Sequence, residues 1–214
     1  MEKIIENMGK VEFGKFYNKA NRKILNLDNT PIRKSEKIKS INMEELERRL
    51  DNKYIYNLLD NREKINIYET EPQRLLSRYR FDILVKYNYV KSYCENINIE
   101  KAKQIYLSHI KAFNNFHEPD GSKNNPEDFI KNFNNLIKKI SEDKKMDKSL
   151  IPISMTGIPI DGSHRVSIAL YFKLKIQYVV FDLLDGRYDD SFFLKRGMPN
   201  EYVQEIKNNY KMLI

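Results

Sequence analysis

The sequence predicts an α+β fold: a helical N-terminal part joined to a small α/β domain. Two amphipathic periodicities, over Gln73 to Tyr93 and Ile99 to Phe113, predict the helical part. Two short apolar extended runs, Leu150 to Met155 and Ile176 to Leu183, flank a further helical stretch and predict the α/β part. With 214 residues, 41% hydrophobic and 32% charged, the chain can bury a sizeable core and is too apolar to be disordered.

Taken in order, residues 1 to about 40 are rich in Lys, Asn and Ile without a sustained period, and Lys34 to Lys39 reads as a solvated connector. Ile41 to Leu59 places Met43, Leu46, Leu50, Tyr54 and Leu58 at helical spacing. Lys64 to Thr70 alternates, with Ile65, Ile67 and Glu69 on one side, and predicts a short strand before Pro72. Gln73 to Tyr93 then aligns Leu75, Leu76, Tyr79, Ile83, Tyr87 and Val90 on one helical face. Ile99 to Phe113 does the same with Ala102, Ile105, Tyr106, Ile110 and Phe113.

Asn115 to Gly121 is a loop by composition, and Pro126-Glu127-Asp128 opens a helix through Phe129, Phe133, Leu136, Ile137 and Ile140. Leu150 to Met155 and Ile158 to Ile160 predict a hairpin about Thr156-Gly157. A helix follows through Phe172, and Tyr178-Val179-Val180-Phe181 marks the strand buried on both faces.

The formal charge of +8 and pI near 9.3 favour an acidic partner. Basic residues are interleaved with acids along the whole chain, so a small anionic ligand is favoured over nucleic acid, which stays possible. Arg78-Tyr79-Arg80-Phe81 and Lys86-Tyr87-Asn88-Tyr89 have a texture compatible with base stacking. At helical spacing they read first as a core stripe with its cations on the wet face.

A single cysteine, Cys94, excludes an internal disulfide and a multi-cysteine zinc site, and reads as a small core residue on a helix. Acidic residues near the N-terminus do not fit a signal peptide, and no stretch approaches the roughly 20 apolar residues of a membrane span. A cytoplasmic location is the expectation.

The most chemical stretch is Asp161-Gly162-Ser163-His164-Arg165, a turn between an apolar strand and an apolar helix. It puts a carboxylate, a hydroxyl, an imidazole and a guanidinium where a helix N-terminus already favours anions. Asp161-Gly162 alone could be only an N-cap and tight turn. His164 and Arg165 in the first helical turn oppose the helix dipole, a conflict that a bound phosphate removes. Ser163 lacks the Gly-x-Ser-x-Gly setting of an acyl-transfer nucleophile. His109, on a helix eight residues before His117, has no zinc-motif spacing and reads as structural or surface.

The order loop with His117-Glu118, helix, hairpin, Asp-Gly-Ser-His-Arg turn, helix, strand resembles the ParB/sulfiredoxin-like superfamily over roughly residues 105 to 185. The turn is most similar to the Asp-Gly-His-His-Arg turn of its free serine kinases. Ser163 stands where sulfiredoxins have cysteine, and only about 30 residues follow Asp185, too few for the DNA-reading part of ParB proteins.

The resemblance implies a helical extension over 1–104, a nucleotide-binding domain over 105–185 and a helical tail over 186–214. It implies a kinase using ATP or ADP with Mg²⁺ on the hydroxyl of a small metabolite such as an amino acid or sugar. Glu118 would take the hydroxyl proton, and Asp161 would hold Mg²⁺ or substrate. Gly162, Ser163, His164 and Arg165 would cradle phosphate, with His164 and Arg165 neutralising charge on the transferred group. His117 and Arg80 would contact the acceptor, helped by Arg74, Arg78 and Lys86. A non-catalytic nucleotide- or nucleic-acid-binding module and a nucleotide hydrolase are the alternatives.

Overall fold

The computed structural model describes residues 35–50, 64–118, 121–146, 149–154, 156–181 and 187–213. Its elements are β1 (Glu36–Ile41), α1 (Met43–Arg49), β2 (Ile65–Thr70), a 3₁₀ turn (Pro72–Leu75), α2 (Phe81–Glu95), α3 (Ile99–Asn114), α4 (Pro126–Asp143), β3 (Ile151–Ser154), α5 (Ser163–Phe172), β4 (Ile176–Phe181), α6 (Asp190–Lys195) and α7 (Asn200–Tyr210). This is an α+β arrangement. None of the described helices is long and apolar enough to cross a membrane.

One four-stranded sheet in the order β1-β2-β4-β3 organises the molecule. β1 with β2 and β2 with β4 are antiparallel, whereas β3 and β4 run parallel, joined through α5. The parallel pair needs a crossover, and α5 supplies it. β4 lies between β2 and β3, opposing Val179 to both Ile67 and Pro152.

Alternation along β4 divides the core. Ile176 and Tyr178 join a cluster with Ile83, Tyr89, Tyr106, Phe133, Ile137 and Val166 of the helices. Val179 and Phe181 face the other way, onto Ile65, Ile67, Leu46 and Ile41. A third cluster packs Phe81, Leu84 and Val85 of α2 against Phe193, Val203, Ile206 and Tyr210 of the C-terminal helices. α2 therefore buries residues on nearly every side, which is how a helix without a polar face is stabilised.

Several expectations change. Lys34 to Lys39 is not only a connector: Glu36–Ile41 is an edge strand, exposed except at Ile41, with a bulge between Lys37 and Lys39. Lysines and a bulge are what keep such an edge from pairing further. The helix expected from Ile41 starts at Met43, capped by the Asn42 side chain accepting from the Glu45 N–H, and Tyr54 and Leu58 lie outside the described residues, as does the N-terminus read against a signal peptide. The helix expected from Gln73 is a 3₁₀ turn followed by a separate helix from Phe81.

The turn at Thr156-Gly157 forms, with Gly157 at φ +83°, but its second arm makes only a single bridge, Ile153 to Pro159. Two hydrogen bonds flank that bridge, from the Ser154 N–H to the Ile158 carbonyl and from the Ile160 N–H to the Pro152 carbonyl. Cys94 lies on α2 as expected but is exposed near its end, not in the core. The expected boundary at residue 104 is crossed by the sheet, because β1 and β2 precede it and β3 and β4 follow it. The 105–185 segment holds two of the four strands among the described residues.

Ile67 is fully buried between β1 and β4. Ile67→Ala is expected to destabilise the fold by about 2–5 kcal/mol, read as a lower urea midpoint with an unchanged m-value.

Candidate functional site

The site is built where the turn after β3 enters α5. Gly162 sits at φ +84°, and a methyl group on it would lie 2.5 Å from Ile151 Cδ1 and 3.0 Å from Arg165 Nη2. Only glycine meets both demands. Asp161 does not cap the helix: its Oδ1 accepts the Gly162 N–H at 2.6 Å, and α5 has no side-chain cap. The first intrahelical bond runs from Val166 N–H to the Gly162 carbonyl at 2.9 Å. The N–H groups of Ser163 and His164 precede it and have no acceptor among the described residues, so the helix end presents open donors.

α2 brings a cation to the same place. Lys86 Nζ donates to Ser163 Oγ at 2.7 Å and to Asp82 Oδ2 at 3.0 Å. Arg80 grips the same carboxylate, Nε to Oδ1 and Nη2 to Oδ2, both at 2.8 Å, and donates through Nη1 to the Pro159 carbonyl. Arg80, Asp82 and Lys86 are 4%, 2% and 5% exposed. Two cations and one carboxylate leave one positive charge in the core at a helix N-terminus.

Burial alone would raise the Asp82 carboxyl, but the charges of Arg80 and Lys86 outweigh it and hold the group well below its ordinary range. Burial lowers Lys86, partly offset by Asp82. Arg80 ends raised, because the attraction of Asp82 overcomes its burial. A lysine has three donors. Two are engaged here, on Asp82 and Ser163.

α5 also positions His164, half-buried, with its Nε2 2.9 Å from the Tyr106 hydroxyl and its ring edge-on to Phe133 at 4.5 Å. Burial, then the charges of Lys86 and Lys123, lower its pKa well below that of free imidazole, so it is neutral at pH 7. Tyr106 is pushed well above the usual phenol range, first by burial.

Glu118 follows α3, with Oε1 accepting from Lys123 Nζ at 3.0 Å. Its charge raises both Lys86 and Tyr106. A cleft of about 110 Å³ lies alongside, lined by Tyr106, Lys123, Phe129, Asn132, Phe133, Leu136 and His164.

The expected residues thus divide. Gly162, Ser163 and His164 form the N-terminus of α5, whereas Glu118 lies in the loop after α3 with its carboxylate on Lys123. Arg165 is turned inward, donating to the Leu150 carbonyl at 3.1 Å, with Asp161 Oδ2 4.0 Å from its Nη2. It holds the turn to β3, and the cation bonded to Ser163 is Lys86. His164, being neutral, can supply a hydrogen bond but not that charge.

Arg80 anchors Asp82 and Pro159 rather than lining the cleft. The expected wet face of α2 is therefore a buried ion cluster. His117, half-buried, has Nδ1 2.6 Å from the Asn115 carbonyl and stays in its loop. Arg74 and Arg78 are exposed. Asp161 has a side chain 41% exposed, and no three His, Cys, Asp or Glu residues converge among the described residues. Mg²⁺ commonly takes one or two carboxylates and completes its shell with phosphates and water. Asp161 fits that minimal role.

Asp82, Tyr106 and Lys123 escaped the sequence reading as site residues. Of these only Asp82 has a sequence signal, Lys86 four residues on, opposite charges at helical spacing inside an apolar run. His109, read as structural or surface, is fully buried against Phe193 at 4.7 Å, with no hydrogen-bond partner for either ring nitrogen among the described residues.

Asp82→Asn leaves two buried cations without a counter-charge and is expected to destabilise the protein by about 3–5 kcal/mol, measured by urea denaturation. Burial, then Lys86, holds His109 neutral well below pH 6.5. The unfolded chain binds a proton there as the pH falls below about 6.5, while the folded chain does not. Stability should therefore fall between pH 6.5 and 5 by up to about 1.4 kcal/mol per pH unit from this residue. His109→Phe should flatten the decline in midpoints measured across that range.

No protein-family model, no curated protein and no solved structure matches this chain.

Proposed function

We propose that the protein is a nucleotide-dependent phosphotransferase acting on the hydroxyl of a small metabolite. The observation that carries this reading is the buried Lys86 ammonium at the open N-terminus of α5, 2.7 Å from Ser163 Oγ. Together with Arg80 it outnumbers Asp82, so the site has an unmatched positive charge aimed at a set of open N–H donors. A phosphate group supplies the missing negative charge and accepts those hydrogen bonds.

In the proposed reaction Glu118 takes the acceptor proton, the freed oxygen attacks the terminal phosphorus, and the bond between phosphorus and the bridging oxygen breaks to release the shortened nucleotide. Lys86 and the Ser163 and His164 N–H groups stabilise the charge on the transferred phosphoryl oxygens. Mg²⁺, held by Asp161 and the nucleotide, would neutralise phosphate charge when bound. Tyr106 keeps His164 oriented through the 2.9 Å contact, and Lys123 keeps Glu118 in place. The similarity of the Asp161 to Arg165 turn to that of the free serine kinases supports the same reading.

Titration calorimetry with ATP, ADP and CTP, followed by phosphorus NMR of mixtures with Mg²⁺ and a metabolite panel, tests it. At least one nucleotide should bind and transfer phosphate. Glu118→Gln should keep nucleotide affinity within about twofold and lose about 10²–10⁴-fold in turnover. Lys86→Met should weaken nucleotide binding by tenfold or more. Absence of nucleotide binding by the intact protein would sink the proposal. Turnover without an acceptor would make the protein a hydrolase instead.

A further inference from the structure

We infer that Ser163 is itself a nucleophile, with Lys86 as its base, and that it accepts a phosphoryl group from the nucleotide when no acceptor alcohol is present. The donor rests on the phosphotransferase reading; the reactivity of Ser163 does not.

Three groups stand in the order that activates a hydroxyl. Lys86 Nζ is 2.7 Å from Ser163 Oγ, and Asp82 Oδ2, 3.0 Å from the same nitrogen, orients it. A nucleophile hydrogen-bonded to a base that a third group holds in place is the arrangement of serine–lysine pairs. Ser167, one turn along α5, is placed differently: its hydroxyl donates to the Ser163 and His164 carbonyls, both at 2.9 Å. Ser163 keeps 8% of its surface open and follows Asp161, whose side chain is 41% exposed, so the turn is reached from that side.

Charge balance makes Lys86 the group that yields a proton. Arg80 holds both oxygens of Asp82 at 2.8 Å, and a guanidinium does not deprotonate in a protein. With Lys86 as an ammonium, the cluster carries an excess positive charge on side chains no more than 5% exposed. With Lys86 as an amine, Arg80 and Asp82 remain a closed pair and the cluster is neutral. Burial, the largest influence, lowers Lys86 despite the pull of Asp82, and the charge of Arg80 adds to the lowering. The amine keeps an N–H for Asp82 and turns its lone pair to the Ser163 hydroxyl, so the 2.7 Å contact becomes a path for the proton.

In the step itself Lys86 takes the Ser163 proton and Oγ bonds to the terminal phosphorus. The bond from phosphorus to the bridging oxygen breaks, its electron pair leaving with the shortened nucleotide. The open Ser163 and His164 N–H groups face the charge that builds on the transferred group. Lys86, made an ammonium as the proton arrives, pairs with the new phosphate ester.

A fluorophosphonate probe on the full chain, without nucleotide, reads the nucleophile separately from phosphate transfer. Peptide mass spectrometry should place the adduct on Ser163 and not on Ser167, with labelling slowed about 10²-fold or more in Lys86→Met and in wild type unfolded by urea. The unfolded arm decides the matter even where Lys86→Met does not fold. Mg²⁺ with ATP, ADP or CTP, and no added alcohol, should then leave phosphate on Ser163. An unlabelled Ser163 in the folded chain, labelling as fast in urea, or nucleotide binding without phosphoserine overturns the inference. The two readings fail separately: a labelled Ser163 in a chain that binds no nucleotide keeps the nucleophile and loses the phosphotransferase, and phosphate passed to a metabolite but never to Ser163 does the reverse.

Discussion

The arrangement hangs on one buried carboxylate. Asp82 accepts from Arg80 and Lys86, and through them it holds two other parts of the chain: the Pro159 carbonyl before the turn and the Ser163 hydroxyl after it. A third part is close by, since the Phe81 N–H donates to the Tyr188 carbonyl at 3.0 Å and the Arg80 guanidinium lies over the Tyr188 ring. Buried ion clusters rarely stabilise a protein relative to apolar residues of the same volume. What this one provides is position: a lysine held in the core with a donor directed at Ser163 on a helix N-terminus.

The surrounding packing makes such a cluster tenable. Apolar residues of α2 enter two separate clusters, so the helix is held on both flanks and its charges cannot swing out to water without disrupting both. The close approach of Gly162 to Ile151 fixes the turn against β3, and Arg165 ties the same strand from the other end of the turn. The open N–H groups are therefore presented by a rigid element, the condition under which fixed dipoles act on a ligand without reorganising.

How much of this the sequence disclosed follows from how each element is stabilised. β4 was legible because it is buried on both faces and reads as a continuous apolar run. α4 was legible from Pro126 and its acidic first turn, to which the structure adds Asn125 capping the Asp128 N–H. β1 was not, because an exposed edge strand with one buried residue carries no apolar period. The Asp161 to Arg165 turn and Glu118 stood out by composition, but the division of labour inside the turn did not. Arg165 reads as a phosphate ligand until the Leu150 carbonyl is seen in front of it. Lys86 reads as a wet-face lysine until its partner appears 77 residues away, a separation no local pattern encodes.

That separation also orders the assembly of the chain. α2 leaves the ribosome well before α5 exists, and a nascent chain folds as its parts emerge. Until the turn arrives, Arg80 and Lys86 lack the Pro159 and Ser163 oxygens, and sealing them in an apolar core would strand their remaining donors. β2 likewise waits, since its second neighbour in the sheet, β4, is made later still. The charges of the first half of the molecule thus lack their partners until the second half is synthesised, and the Asp161 to Arg165 turn and the residues before it supply them.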